Sequence, residues 1–240
     1  MTVGRVKMKK EYEQQIKALY EISKAITSEM YLDDILKLIV VVTAQVLHSK
    51  ICSIMLVDEK NQTIQVKATQ YLSEEYIKKP PLKIGEGIAG KVVQSGKPIV
   101  VKDVRERDDY KYKDLAIKEG IVSMLCVPMI VKKKVIGVLN IYTETEHSFT
   151  KDEIEILSLI ANQAAVAIEN TELMVKTKVI QEELETRKKI EKAKGILMKE
   201  QNLTEEQAYN KIRRYSMDTR KSMREIAEAI ILTHEIKTEK

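Results

Sequence analysis

A chain of 240 residues, 44% hydrophobic and 32% charged, has room for one medium domain and a smaller second unit, and its apolar content argues against a disordered chain. The longest apolar run, Ile35 to Val42, is interrupted by Lys37 and falls far short of the roughly 20 residues a bilayer span needs. The net charge of +5 is local: residues 1–175 hold 25 Lys and Arg against 24 Asp and Glu, whereas residues 176–240 hold 16 against 12. A basic tail behind a neutral first part points to an anionic partner for the tail.

Trp is absent and Phe149 is the only Phe, so the core must come from aliphatic residues and Met, with Tyr as the aromatic. The basic N-terminus lacks the apolar stretch and small-residue cleavage site of a secretory signal. Cys52 and Cys126 each lie in an apolar, strand-like run, with no CxxC pairing and no His at ligand spacing. They read as buried, reduced thiols in a cytoplasmic protein. His48, His147 and His234 are far apart in the chain, so neither haem nor a metal site is expected.

In chain order, Tyr12, Ile16, Leu19, Ile22, Ile26 and Met30 recur at helical spacing, and a second helical pattern covers Leu32 to Leu47. The period then shortens. Ile51 to Val57, Thr63 to Thr69, Pro98 to Lys102, Ile121 to Ile130 and Val135 to Thr143 read as strands, the last two joined across Lys132-Lys133-Lys134 as a hairpin. Helices, then strands, then helices give an α+β domain in which helices cover one face of an antiparallel sheet. Thr150-Lys151-Asp152-Glu153 is a capping box opening a helix with no Gly or Pro before position 195. Val166, Leu173 and Ile180 share one heptad position and Leu184 takes the other, although Asn170, Thr177, Arg187 and Glu191 break the seam. Dimerisation through these helices is expected. Two more capping boxes, Thr204 to Gln207 and Ser222 to Glu225, start further helices, so the tail forms a three-helix unit.

Gly85-Glu86-Gly87-Ile88-Ala89-Gly90-Lys91-Val92 superficially fits GxGxxG and GxxxxGK. The first needs a buried strand before it and a long helix after it, but Pro80-Pro81 and Gly96-Lys97-Pro98 close in on both sides and leave about six helical residues. The second lacks the Ser or Thr that ligates Mg²⁺. A tight strand-to-helix bend is the expected use of the glycines.

Leu82 to Pro98, Ser123 to Met129, Val135 to Leu139 and the closing segment Phe149 to Asn170 resemble a GAF domain in order and spacing. The resemblance implies a pocket between the sheet and Val101 to Glu119, with Asp103, Arg105, Asp109, Tyr110, Tyr112 and Ser123 as candidate ligand residues. It has no NKxxD-like signature of the cyclic-nucleotide-binding members. The other reading of Val101 to Glu119 is a solvated charged loop on a domain that only dimerises.

Arg187, Ile190 to Met198, Thr204 to Tyr209, Ile212-Arg213 and Met223 to Ala227 resemble an ANTAR domain. That resemblance implies binding to paired hairpins in nascent transcripts, which keeps a terminator from forming. The expected contacts are Arg187, Lys188, Lys194, Gly195, Arg213, Arg214, Arg220, Lys221 and Arg224, since Arg forks suit phosphates and base edges. Hairpin loops expose bases on which Tyr209 or Tyr215 can stack. Arg187, Glu191, Lys194 and Met198 are placed on an exposed helix face, opposite Ile190, Ala193 and Leu197. Tyr209 is assigned to the core before it is assigned to stacking.

The expectation is therefore a non-enzymatic, signal-responsive antitermination regulator: a GAF-like sensor over 11–170, a connector over 171–186 and an RNA-binding domain over 187–236. No cofactor is implied beyond an unidentified small-molecule effector. One alternative is a DNA-binding helix-turn-helix regulator, which wants a three- or four-residue turn where Ser216 to Lys221 reads longer. Another is a GAF-fold thiol-dependent reductase like the free methionine sulfoxide reductases, resting on Cys52 or Cys126.

Overall fold

The computed structural model describes residues 31–238, together with 13, 16, 17 and 19–25. The chain divides into two compact units, Met1–Thr171 and Glu172–Lys240. Most of the helix expected over Tyr12 to Met30 lies outside the described residues; residues 19–25 are helical.

The first unit runs α1 (Leu32–Val46), β1 (Ile51–Asp58), β2 (Thr63–Gln70), α2 (Glu74–Ile77), β3 (Leu82–Lys83), α3 (Gly87–Ser95), β4 (Ile99–Val101), α4 (Lys113–Lys118), β5 (Ser123–Val131) and β6 (Lys134–Thr143). Its six strands form one sheet in the order β3-β2-β1-β6-β5-β4, every neighbouring pair antiparallel. The β5–β6 hairpin turns on Lys132 and Lys133, at φ of 47° and 69°. A two-residue hairpin loop needs such a positive-φ pair to match strand twist.

Helices cover both faces of the sheet, not the one expected. On one face Ile35, Leu36 and Ile39 of α1 and the start of the last long helix meet Cys52, Ile54, Leu125, Leu139 and Ile141. On the other, α2, α3, α4 and the Val101 to Glu119 segment pack Tyr76, Ile88, Val92, Val104 and Ala116 against Met55, Met124, Cys126, Val138 and Tyr142. Period-2 alternation sends neighbouring residues of one strand to opposite cores. Because both sets of alternating residues are apolar, β5 is buried along most of its length. The helices α2 and α4 escaped the sequence reading because their apolar residues are too few to show a helical period.

The glycine motif is explained by backbone geometry. Gly85 and Gly87 have φ of 86° and 63°, and Gly90 lies against the preceding strand. A Cβ there would sit 2.5 Å from the Lys83 carbonyl oxygen and 3.0 Å from the Gly85 nitrogen. The helix that follows has nine residues, longer than the expected six, and ends at Gly96 in the left-handed conformation.

The long helix α5 (Lys151–Gln201) has 51 residues. It passes through Gly195 without a break. Leu159, Val166, Leu173 and Ile180, seven residues apart, and Leu184 are exposed on it. In the second unit the last turns of α5 pack Ala193 and Leu197 against Ala208 and Ile212 of α6 (Glu205–Thr219) and Ala227 of α7 (Met223–Thr238). All three expected capping boxes form, at Thr150/Glu153, Thr204/Gln207 and Ser222/Glu225. No described helix is long and apolar enough to cross a membrane.

Candidate nucleic-acid groove and ligand cavity

In the second unit, the end of α5 and the two capped helices enclose a groove of about 510 Å³. Arg187 of α5, Tyr209 of α6 and Arg224 of α7 meet along it, with Ile190 and the carboxylates of Glu182, Glu183 and Glu191. Tyr209 is 42% exposed, so it belongs to the groove and not to the core it was assigned to. Arg213 follows Tyr209 by four residues and therefore shares its helix face. Arg187, Arg213, Arg220 and Lys221 are exposed and have no salt bridge among the described residues. Others are engaged: Lys188 with Glu185 at 3.2 Å, Arg214 with Asp218 at 3.8 Å, Arg224 with Glu228 at 3.0 Å.

Lys194 departs from the exposed position expected of it. It is 6% exposed, and its Nζ donates to both Glu191 oxygens at 2.9 Å and to Glu205 Oε1 at 2.8 Å. The Glu205 carboxylate, helped by Glu191, holds the ammonium charged above its usual range. The Thr204 cap fixes where α6 begins and hence where Glu205 stands, so Lys194 ties α5 to the first turn of α6. Gly195 has nothing within 4 Å of where a Cβ would lie. A mid-helix glycine costs about 0.5–1 kcal/mol relative to alanine, and no neighbour in the chain requires the space.

The α6–α7 connection is shorter than the reading of Ser216 to Lys221 implied. Helix α6 continues to Thr219, and Arg220 caps it at φ 56°, ψ 27°, the left-handed conformation usually given to Gly or Asn. The turn is Arg220-Lys221-Ser222. Its length does not separate this unit from a helix-turn-helix.

In the first unit a cavity of about 30 Å³ lies under the sheet's second face. Tyr76, Tyr110, Tyr112 and Tyr142 line it with Lys79. Its other wall includes Gly87, Ile88 and Ala89, the first three residues of α3, whose amides an α-helix leaves unbonded. Tyr76 and Tyr110 share a hydrogen bond at 3.0 Å, and Tyr142 shares one with Ser53 at 3.1 Å. Burial pushes all three phenols well up, so they are hydroxyl donors at neutral pH.

Of the six ligand candidates, Tyr110 and Tyr112 line this cavity. Asp103 and Arg105 pair with each other, and Asp109 is held by Arg107 at 2.8 Å and Lys91 at 2.6 Å. Ser123 accepts the His147 amide at 2.8 Å and donates to the Lys102 carbonyl, closing the loop ahead of α5. Tyr76, Lys79 and Tyr142 were missed; the only sequence signal was ten Tyr beside a single Phe. Cys52 and Cys126 are 0% exposed in opposite cores, and burial pushes both thiols up, so neither is an activated thiolate.

Comparison with known proteins agrees with this architecture. The GAF domain model matches residues 29–169 and the ANTAR domain model residues 178–231. The nitrogen fixation protein AnfA of Azotobacter vinelandii is 31% identical over 156 residues, 63% of this chain and 29% of AnfA. Transcriptional regulatory protein PdtaR of Mycobacterium tuberculosis is 40% identical over 65 residues, 27% of this chain and 32% of PdtaR. The chain thus spans about a third or less of either protein's length. The GAF domain of a phosphoenolpyruvate-protein phosphotransferase from Coxiella burnetii superposes with a TM-score of 0.62 at 26% identity, covering 68% of this chain and 98% of that one. The chain belongs to the GAF domain family and joins that domain to a C-terminal ANTAR domain, as a GAF–ANTAR regulator does.

Proposed function

We propose that the protein is a signal-responsive transcription antitermination regulator, binding hairpins in nascent RNA through 187–236 and sensing a small molecule through 11–170, with 171–186 as connector. The observation that carries the reading is the groove that gathers Arg187, Tyr209 and Arg224 beside the exposed Arg213, which has no salt bridge among the described residues. Arg forks can take phosphates and guanine edges while the Tyr209 ring stacks on a loop base. Arg220, Lys221, Lys188 and Arg214 extend the basic surface, and the open flank of Gly195 admits close approach of a backbone. Lys194 serves the same surface by fixing α5 to α6. A homodimer is supported by the exposed heptad residues Leu159, Val166, Leu173 and Ile180, whose burial needs a partner. Reduced, unpaired cysteines fit a cytoplasmic protein.

Ultraviolet crosslinking of the full chain in its own cells tests where RNA sits. The expected result is nucleotide-bearing peptides containing Tyr209 or Arg187. Crosslinks confined to the GAF domain would sink the assignment.

A further inference from the structure

A second groove, of about 350 Å³, opens in the three-helix unit between the end of α5, α6 and α7. Its floor is Leu197, Ile226, Ala229 and Ile230, beside the exposed Tyr215. The rim is cationic. Among the described residues, Lys211 and Lys237 have no salt bridge, and Glu200 is the one carboxylate in the lining, bonded to His234 at 2.8 Å. The lining on α7 recurs every three or four residues from Ile226 to Lys237, about 16 Å of helix, and the exposed Leu232 and Ile236 carry apolar surface beyond it. A small molecule filling the groove would leave those two side chains in water, whereas a helix laid along α7 can cover them as well.

The occupant this surface fits is an acidic amphipathic helix, and the chain carries one. Leu173, Ile180 and Leu184 are exposed on one face of α5, at i, i+7 and i+11. Glu183 and Glu185 flank Leu184, each turned about 100° to one side of it. Residues 180–186 hold three Glu and no Lys or Arg. The exposed pair of Glu185 with Lys188, 3.2 Å apart, contributes little and yields to a better partner. A chain cannot lay this stretch in its own groove: α5 is unbroken, and Ile180 stands 17 residues, about 26 Å, before Leu197 on the same helix.

We propose that the groove of one copy holds the Leu173 to Leu184 stretch of a second copy, with Lys211 and Lys237 set against Glu183 and Glu185. The docked stretch overlaps the wall of the RNA groove of its own copy, at Val179, Glu182 and Glu183, next to Arg187. A copy held in this way has its RNA groove obstructed, and its Leu173 and Ile180 are withdrawn from the heptad seam. The contact is therefore an autoinhibited arrangement of two copies, in competition with both RNA and the seam. Its inhibitory half rests on reading Arg187, Tyr209 and Arg224 as the RNA groove; the docking rests only on the two surfaces.

The test uses the full chain with Tyr215 replaced by p-benzoylphenylalanine, aromatic for aromatic in the groove lining, mixed with ¹⁵N-labelled parent and irradiated. Mass spectrometry of the linked peptides should place the crosslink on ¹⁵N-labelled peptides within 173–186. Glu183→Lys with Glu185→Lys in the labelled copy should lower the yield about tenfold, as two exposed ion pairs become repulsions. Lys211→Glu with Lys237→Glu in the other copy should then restore it, and an excess of two-hairpin RNA should suppress it. No crosslink to the labelled copy, a crosslink confined to peptides outside 173–186, one to the added RNA, or a charge swap without rescue would overturn the docking. RNA that binds the chain yet leaves the crosslink at full yield would overturn the inhibition. A chain that crosslinks as expected but binds no RNA would sink the RNA reading and leave the docking standing.

Discussion

Replacing Arg187 and Arg213 together by alanine is expected to weaken RNA binding by about 100-fold without changing helix content or melting temperature. Each charge-assisted contact contributes roughly 1.5 kcal/mol, and about 1.4 kcal/mol is a factor of ten, so two contacts give about two decades. Both side chains are exposed and neither has a salt bridge among the described residues, so truncation strands no buried partner. The slope of log affinity against log salt should shrink by about 1.4 to 1.8, since two phosphates are no longer neutralised. Lys194→Ala supplies the contrast. It leaves Glu191 and Glu205 facing one another without the ammonium that joins them, so its first effect is on the stability of the three-helix unit. A double arginine variant that binds RNA with parental affinity and salt slope would remove the groove from the account.

Gly90→Ala should lower the stability of the GAF domain by about 2 kcal/mol, seen as a fall in melting temperature of about 4–8 °C. The sign is the informative part. Alanine inside a helix ordinarily stabilises by about 0.5–1 kcal/mol over glycine. Here the added Cβ meets backbone on two sides, the Lys83 carbonyl at 2.5 Å and the Gly85 nitrogen at 3.0 Å, so α3 must separate from β3. Because Gly87, Ile88 and Ala89 wall the cavity, the same displacement should disturb Lys79. A variant as stable as the parent would mean that the glycine motif is not held by this backbone crossing.

Much of this molecule is written locally in the sequence, and the parts that are not have identifiable causes. The strands show because alternating residues face two apolar cores, and the capping boxes show because each is closed within four residues. Lys79 was not legible: its setting depends on Tyr112 and Tyr142, far along the chain. Lys194 was misjudged because helical spacing places it with Arg187 and Met198, whereas the partner that buries it, Glu205, lies beyond the helix end. The charged residues Asp103, Arg105 and Asp109 looked available for a ligand, yet each is satisfied by a neighbour within a few residues or by Lys91. Arg220 hid the end of α6 by taking a conformation that usually announces itself with glycine.

The measurement that tests the central proposal most directly is a competition on the full chain at one fixed salt concentration. Two-hairpin RNA selected from a pool with randomised loops would compete with duplex DNA selected from a randomised pool of equal length. The account predicts that the selected RNA displaces the DNA at far lower concentration and that changing the loop bases abolishes its advantage. Equal or tighter binding of the DNA would contradict it and make the three-helix unit, with its three-residue turn at Arg220-Lys221-Ser222, a DNA reader instead.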